Sequence, residues 1–546
     1  MKKIRLTALF LVVVMLCGCL AGCGGKTAKT GIEYDYTETE ETIEYTFFAS
    51  GFNNYPDQHD AVLKFLEEKF NIKINLVGAT ADNWQQRLAA LIADNKTPDL
   101  FFSLPDTSTF TDFIKKEVIV DLNAYIEHGG DELSTLSAVL AAEPFGDNIK
   151  INDKNYFVPY VVGSSGHILM VRKDWMKQWN SAPASEGGRG LSGDDVYKQP
   201  TTLSEFTSMV TYFHTANLSG GNITYGMAMN PYFDFYRDMM GTFGIEPDFY
   251  IDKDGNYQYS VFDEKYEDFI KWFQDGDGTY IYDGAYAMTE AEMIQAFIDG
   301  KTGVILSNGD TLIDGLIGSI ENMHSDWNMN EVITLIQLPD SDDGSHTGGF
   351  MNFNYYWGGW AMSADAKEPM RLVRFLDYIL SEEGQKLMTY GMKDVHYTES
   401  EDGVITPDYD ARNNDGGFSV WLSKGNKAEG YLLGRYSVGS AFIACPFKVE
   451  NGKIVENYPL DTSGYPTFQK LSRELCADDP TYSGLRTLIA DPEVNKYKAK
   501  ILDAIEQYTI SRISGTSKEE AMELLENTMT SNRADDVLEY LNENNK

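Results

Sequence analysis

Apolar and polar positions follow regular periods from residue 43 onward. Ile72, Ile74 and Leu76 alternate with polar residues, which is typical of a strand with one exposed face. The apolar runs at 43–48 and 99–103 predict two more strands, and helical spacing over 57–70 and 84–92 predicts the helices between them. Strand, helix, strand, helix, strand in this order predicts an α/β fold with a mainly parallel sheet between helices.

A second alternating system begins after the glycine-rich segment 163–166. Its predicted strands are 167–172, 225–230, 303–307 and 333–338. Its predicted helices are those near 203–213, 266–273 and 290–299. The segment 355–363 and a helix at 372–379 follow, and the chain is helical in pattern from 492 onward. A glycine-rich connection between two such systems is a place where the chain could pass from one lobe to another.

Two groups of residues are candidates for ligand binding. Ligands of open α/β sheets bind beyond the carboxyl ends of strands, so we expect the loops at 50–54 and 104–107 to face a cleft. Sugars are bound by aromatic rings against their CH faces and by carboxylates or amides against their hydroxyls. The residues that fit this need are Tyr232 and Phe233, beside Asp234, and Trp357 and Trp360, separated by two glycines. For the two tryptophans, a strand that packs into the core is the alternative.

The first 23 residues have the pattern of an export signal. Lys2, Lys3 and Arg5 precede an apolar run at 6–16, which is too short to span a bilayer. Leu20-Ala21-Gly22-Cys23 resembles the lipobox of bacterial lipoproteins, which implies cleavage after residue 22 and acylation of Cys23. An ordinary secretory signal is the alternative. Residues 23–44 are acidic and lack apolar periodicity, so they predict a flexible tether outside the cytoplasm, with the lipid as the membrane attachment.

Composition and charge exclude several classes of protein. The formal net charge of −38 disfavours binding to nucleic acid and to anionic lipid headgroups. Hydrophobic residues at 42% and aromatic residues at 13% are enough to form folded cores, so the chain is not a disordered one. After Cys23 the cysteines are Cys445 and Cys476, which we expect to be buried free thiols, although a disulfide between them stays open.

Catalytic and metal-binding motifs are mostly absent from the sequence. Neither Gly-x-Ser-x-Gly nor His-Glu-x-x-His occurs, and Gly300-Lys301-Thr302 lacks the upstream glycine of a phosphate loop. The run 252–256 resembles a calcium loop, but its glycine is at the wrong place, so we expect a hairpin turn. We therefore expect no enzyme, no cofactor and no metal. The alternative function is a secreted glycosidase that uses paired carboxylates.

The order of these segments resembles that of the extracellular solute-binding proteins of bacterial ABC importers, in the sugar-binding family that includes maltodextrin-binding protein. The segments that carry the resemblance are 63–77, 84–99, 169–175, 200–206, 297–304 and 376–384. The resemblance implies the type II periplasmic-binding-protein-like fold, with two hinged lobes that close on a ligand. It implies lobe I at 45–163 with 352–400, and lobe II at 164–351 with 401–546. It also implies a monomer that delivers a carbohydrate, expected to be an oligosaccharide, to the permease subunits of an ABC transporter.

The resemblance also implies ligand contacts at particular positions. Contacts after the first strand fall on Phe52 and Asn53, and an acidic contact falls on Asp106. A Glu-Pro-Tyr-Phe contact run aligns with residues 230–233, where Asn230 replaces the glutamate, and a further contact falls near Asp310. Some relatives carry a calcium loop after the helix that begins near 203. The corresponding stretch 214–222 has too few carboxylates, so we expect no calcium there.

Overall fold

The computed structural model describes the greater part of the chain after residue 34. The described residues are 32, 34–50, 52, 61–79, 83–161, 167–216, 218–220, 223–229, 235–308, 317, 320, 323–348, 351–352, 356–408, 411, 442, 447–456, 471, 475, 482–483 and 488–544. The described residues from 35 onward form one compact unit. Within the described ranges, none of the helices combines the length and apolar character that a membrane crossing needs.

The strands are close to those that the periodicity predicts. Their bounds are β1 Ile43–Ser50, β2 Ile72–Ala79, β3 Leu100–Ser103, β4 Val158–Val161, β5 His167–Arg172, β6 Tyr225–Met227, β7 Phe249–Ile251, β8 Tyr257–Tyr259, β9 Thr302–Asn308, β10 Ile333–Ile336, β11 Met351–Asn352, β12 Tyr356–Met362, β13 Tyr397–Glu399, β14 Ile405–Pro407, β15 Phe447–Glu450, β16 Lys453–Glu456 and β17 Tyr482–Ser483.

The helices lie between these strands and at the end of the chain. Their bounds are α1 Ala61–Phe70, α2 Trp84–Ala93, α3 Ser108–Lys115, α4 Asn123–Gly129, α5 Ser134–Ala141, α6 Lys173–Ser181, α7 Leu203–Thr215, α8 Phe235–Thr242, α9 Tyr266–Gly276, α10 Glu290–Ile298, α11 Met329–Val332, α12 Pro369–Leu380, α13 Glu382–Tyr390, α14 Pro492–Ile513, α15 Lys518–Ser531 and α16 Ala534–Asn544.

The first sheet has the strand order β2-β1-β3-β12-β4. β1 pairs in parallel with β2 and β3, whereas β12 pairs antiparallel with β3 on one side and β4 on the other. β1, β2, β3 and β4 therefore all point the same way and only β12 is reversed among these described strands. The prediction of a mainly parallel sheet is confirmed. We call this sheet and the helices packed on it lobe I.

The second sheet has the same construction, with the order β10-β5-β9-β6. β5 is antiparallel to β10 and β9, and β9 is parallel to β6. β6, β9 and β10 therefore share a direction, and the reversed strand in the described sheet is β5. In each sheet the reversed strand is the first one after the chain arrives from the other sheet. We call the second sheet with its helices lobe II.

The C-terminal helices pack mainly on lobe II. Ile501, Ile505 and Tyr508 of α14 belong to the same buried cluster as Phe269 and Phe273 of α9. At the same time α14 contacts α3 of lobe I, so this long helix touches both lobes. The exact domain boundaries stay predictions.

Phe442 and residues 447–456 contact lobe I, which differs from the predicted assignment of all of 401–546 to lobe II. The Phe442 ring stacks on Trp360 of β12, and the backbone N–H of Phe447 donates to the side chain of Gln385 on α13. Glu143 exchanges backbone hydrogen bonds with the β15–β16 hairpin. The physical reason is that this segment completes the apolar and hydrogen-bonding surface left open beside α13 and β12.

Candidate functional site

A short connection joins the carboxyl edges of the two sheets. β4 leaves lobe I at Val161, on the edge where β1 and β3 also end, and β5 enters lobe II at His167, on the edge where β6 and β9 end. Only the connection 162–166 separates Val161 from His167. At 3.3 to 3.6 Å per residue this connection spans at most about 20 Å. The two edges are therefore held close enough for one ligand to contact both.

The loop after β3 presents Asp106 at the lobe I edge. Thr107 fixes this loop, because its hydroxyl donates to the Leu104 carbonyl over 2.8 Å and accepts the backbone N–H of Phe110 at the start of α3. Asp106 itself is exposed. A carboxylate on a fixed loop at the carboxyl edge can accept hydrogen bonds from ligand hydroxyls.

Lys498 of α14 lies where the two lobes meet and is not among the predicted site residues. Burial lowers the pKa of Lys498, while the negative charges of Asp106 and Asp248 oppose this shift. Lys498 is 5% exposed and lies on α14, the helix that contacts α3 of lobe I. A lysine within an amphipathic helix is usually a solvent-facing residue, so the sequence carried no signal for this placement.

An aromatic cluster lies beneath the ends of β1 and β3, where the end of β3 pairs with the middle of β12. Trp360 is 1% exposed and stacks on Phe442, with ring centroids 4.1 Å apart and an interplanar angle of 14°. Phe52 is completely buried and its ring centroid is 6.2 Å from that of Trp360. In this conformation Phe52 and Trp360 present no ring face to solvent. Trp360 therefore packs in the core, which is the alternative interpretation given for it above. Both residues pack beneath the carboxyl edge of the first sheet.

Tyr160 is the member of this cluster that keeps an exposed part. It lies on β4, next to the connection 162–166, and its ring packs edge-on against Phe102 at 5.7 Å. A half-buried ring at the carboxyl edge is suited to stacking on a sugar. Tyr160 is not among the predicted site residues, although its place next to the glycine-rich connection was a usable signal.

Two glycines let β12 pass close to its neighbours. A Cβ atom on Gly358 would lie 2.5 Å from the Phe102 ring, and one on Gly359 would lie 2.3 Å from the Phe157 ring. Neither position has room for a side chain. The spacing of the two tryptophans around this pair therefore follows from packing of the strand.

Several predicted site residues lie outside the described part of the chain. They are Cys23, Asn53, Asn230, Tyr232, Phe233 and Asp310, together with Cys445 and Cys476. For Trp357 the backbone in β12 is described and the side chain is not. The structure therefore places Asp106 at the cleft edge and Phe52 and Trp360 beneath it. The other contacts stay predictions.

A cavity of mixed polar and apolar lining between α8, α9 and α14 is too small for a sugar. Its lining includes Arg237, Asp248 and Glu506, and its volume is about 20 Å³. Arg237 and Asp248 form an ion pair at 2.6 Å across it. Burial raises the pKa of Glu506, while the Arg237 charge opposes this shift. Room for about one water molecule excludes this cavity as the ligand site.

Described residues of the two stretches considered for calcium make hydrogen bonds within the protein. The Asp252 carboxylate accepts the backbone N–H groups of Asp254 and Asn256, each at 2.9 Å, in the turn between β7 and β8. This confirms the predicted hairpin. Near the second stretch, His214 Nδ1 is 2.7 Å from the Thr224 carbonyl oxygen. Across the described ranges, no group of three His, Cys, Asp or Glu side chains is placed to hold a metal ion.

Comparisons with known proteins identify relatives of the same architecture. The polygalacturonan/rhamnogalacturonan-binding protein YtcQ of Bacillus subtilis (strain 168) is 22% identical over 405 residues, covering 73% of this chain and 75% of that protein. The structure of alginate-binding protein AlgQ2 without calcium ion superposes with a TM-score of 0.63 at 14% identity, over 92% of this chain and 98% of that one. An HMO-binding, ABC-transporter-associated solute-binding protein from Bifidobacterium longum infantis gives 0.59 at 16% identity, over 92% and 98%.

The structural likeness confirms the predicted two-lobed α/β fold. Residues 55–386 match the sequence profile described as bacterial extracellular solute-binding protein, and this range is more than half of the chain. The match includes the second sheet, the first sheet apart from β1, and the connection between the two sheets, and the predicted resemblance is confirmed. This chain therefore belongs to the bacterial extracellular solute-binding protein family.

Proposed function

We propose that this protein binds an oligosaccharide between its lobes and delivers it to the permease of an ABC importer. The observation that carries the proposal is the pair of mainly parallel sheets whose carboxyl edges are joined by the short connection 162–166. Family membership supports extracellular solute binding, and the names of the relatives include binders of polygalacturonan and alginate. The protein acts as a monomer that closes around its ligand by hinge motion.

The proposed site lies between the edge that carries Asp106 and Tyr160 and the lobe II edge after β6 and β9. Asp106 accepts hydrogen bonds from sugar hydroxyls, and Tyr160 offers a partly exposed ring for the CH face of a sugar. Asn53, Asn230, Tyr232, Phe233, Asp310 and Trp357 complete the proposed set. Phe52 and Trp360 act as the rigid base that keeps the lobe I edge in place.

A ligand panel tests this function. Mature protein is titrated with neutral oligosaccharides, such as malto- and fructo-oligosaccharides, and with acidic ones, such as oligogalacturonates and alginate oligomers. Binding is measured by calorimetry and by the shift in the thermal unfolding midpoint. A ligand at 100 times its dissociation constant should stabilise the fold by about 2.7 kcal/mol. Closure should also lower the radius of gyration in X-ray scattering. If no oligomer stabilises the protein or changes its scattering, the proposal is wrong.

The same incubations separate binding from hydrolysis. A glycosidase would release shorter products, whereas a binding protein leaves the oligomer intact. Chromatography of the ligand after overnight incubation gives the answer. Product formation that depends on the protein would replace the proposed function by the glycosidase alternative.

Asp106 can be tested individually. Replacing Asp106 by asparagine removes a charged acceptor, which costs about 1.5 to 3 kcal/mol in a hydrogen bond and should weaken binding about 10- to 100-fold. Asp112→Asn is the matched control, because Asp112 lies on the adjacent helix α3 and pairs with Lys116 at the surface. Equal affinities for the two variants would remove Asp106 from the site.

We also propose that an acylated Cys23 holds the mature protein on the outer face of the cell membrane. A lipid-anchored protein should incorporate labelled palmitate and sediment with membranes, since acyl chains give about 0.8 kcal/mol for each buried methylene group. Cys23→Ser should abolish both properties. Membrane sedimentation of the Cys23→Ser variant at the level of the unmodified sequence would refute the anchor.

A further inference from the structure

Residues 36–42 form an extended segment that lies against lobe I, and we call it the strap. It falls within the region whose sequence predicts a flexible tether. Its residues are exposed and acidic, with Glu38, Glu40 and Glu41 among them. Such a segment has little apolar surface to bury, so polar contacts must hold it in place.

Arg371 of α12 is the main contact of the strap. Its guanidinium donates to the carbonyl oxygens of Thr39 at 2.6 Å and of Glu41 and Asn71 at 2.9 Å each. It also pairs with Glu368 at 2.5 Å, and the arginine is only 6% exposed. The planar guanidinium carries five donors in a fixed geometry, which suits it to several acceptors at once.

Further contacts fix the strap on both sides of Arg371. Arg374, one turn along α12, forms an ion pair with Glu38. The Asn71 side chain donates to the Glu40 carbonyl at 3.0 Å and accepts the Thr42 hydroxyl at 2.7 Å. The Tyr36 ring stacks on His128 of α4, with centroids 4.0 Å apart. The strap is thus held at its start, middle and end.

These contacts come from two distant parts of the sequence. Asn71 and His128 belong to the first pass of the chain through lobe I, whereas Arg371 and Arg374 belong to the part that returns from lobe II. The strap therefore contacts both the N-terminal part of lobe I and the part of lobe I that follows lobe II in the sequence. All of the described partners of the strap given above lie in lobe I.

We propose that the strap fixes the anchored end of the chain to the α4–α12 face of lobe I, so that lobe I is held towards the membrane and lobe II is the lobe that moves. The part about the membrane rests on the proposed lipid anchor. With the strap docked, the chain from Cys23 to residue 35 reaches at most about 40 Å. With the strap released, the reach from Cys23 to β1 grows to about 70 Å.

Limited proteolysis tests the docking without any ligand or membrane. Endoproteinase Glu-C is used on the mature protein, and cleavage after Glu38, Glu40 and Glu41 is timed by mass spectrometry. Arg371→Lys keeps the charge beside Glu368 but offers one ammonium group to three carbonyl oxygens, so cleavage should become about tenfold faster. Arg374→Ala removes a partly exposed partner of Glu38 and should also accelerate cleavage.

Arg533→Ala is the control for these variants, because Arg533 is an exposed arginine that pairs with Asp536 on α16. It should leave the cleavage rates unchanged. Circular dichroism and the unfolding midpoint show whether each variant is folded, and Arg374→Ala decides the matter if Arg371→Lys does not fold. Cleavage of the unsubstituted protein as fast as that of Arg374→Ala would overturn the docked strap.

Energy transfer to a labelled membrane tests which lobe is held close. The mature chain, with Cys445 and Cys476 replaced by serine, is coupled through Cys23 to vesicles that carry maleimide lipid. A dye is placed either at Asp131, beside α4, or at Asp254, in the lobe II hairpin, both of which are exposed. Transfer should be stronger from position 131, and the difference should shrink in the Arg371→Lys/Arg374→Ala variant.

Equal transfer from the two positions in the unsubstituted protein would overturn the inference that lobe I is held towards the membrane. Because the attachment is chemical, this result does not depend on whether cells acylate Cys23. It also does not depend on sugar binding. Failure of the proposed function and failure of the strap are therefore distinguishable.

Discussion

Replacing Trp360 by alanine removes the largest ring from the cluster beneath the carboxyl edge of lobe I. The side chain is 1% exposed, stacks on Phe442 at 4.1 Å, and has the rings of Phe52 and Phe102 at 6.2 and 6.0 Å. Truncating a buried tryptophan to alanine costs about 3 to 5 kcal/mol, because the burial of the apolar ring is lost and a cavity is left behind. Trp360→Phe keeps an aromatic ring and should cost roughly half of this or less.

Urea unfolding followed by circular dichroism measures the effect. With a slope on the order of 3 kcal/mol per molar urea, Trp360→Ala should lower the midpoint of lobe I unfolding by about 1 M or more. Trp360→Phe should leave oligosaccharide affinity within about twofold, since this ring supports the site and does not line it. The reasoning is refuted if Trp360→Phe unfolds at the unsubstituted midpoint and loses binding more than tenfold, because that outcome would require direct contact with the ligand.

Three further substitutions test individual features of the fold by thermal and urea unfolding. Gly359→Ala should destabilise lobe I by about 1 to 3 kcal/mol, because the new Cβ would lie 2.3 Å from the Phe157 ring; an unchanged midpoint would contradict this close packing. Thr289→Ala removes one half of the capping box at the start of α10 and should cost about 1 kcal/mol, with Thr289→Ser as the control that retains it. Hydrogen bonds from two lysines lower the pKa of Glu399 below its ordinary 4.5. The ionised carboxylate therefore stabilises the fold above pH 4.5, and this stabilisation is lost as the pH falls through the lowered pKa. Glu399→Gln should remove the same stabilisation. A difference in midpoint between Glu399→Gln and the unsubstituted chain that persists at still lower pH would contradict this sign.

The strands and their direction could be predicted because local patterns determine them. The alternation at Ile72, Ile74 and Leu76 and the buried run at 100–103 are properties of short segments, and the intervening helices require parallel pairing. The reversed direction of β12 depends on a long connection through the other lobe. No local sequence pattern indicates that β12 is reversed.

The position of Trp360 could not be decided from sequence because β12 lies inside the first sheet, with helices on both sides. A strand that is apolar on both faces gives no alternation from which to assign an inward and an outward side. Its stacking partner Phe442 lies beyond residues 55–386, the range that matches the family. The strap was missed for a related reason, since Arg371 lies 332 residues from Thr39 along the chain.

The reversed strand β12 also constrains how the polypeptide can acquire its structure as it emerges from an export channel. Among the described strands of the first sheet, β4 is joined to β3 through β12, so residues 43–161 alone leave β3 and β4 with unpaired backbone groups. β12 becomes available only after all four strands of the second sheet have been exported, so folding of the first sheet requires a late, long-range pairing step. A nascent chain that stops before residue 356 therefore has two unpaired strand edges, at β3 and at β4. These edges would be accessible to chaperones and proteases outside the membrane.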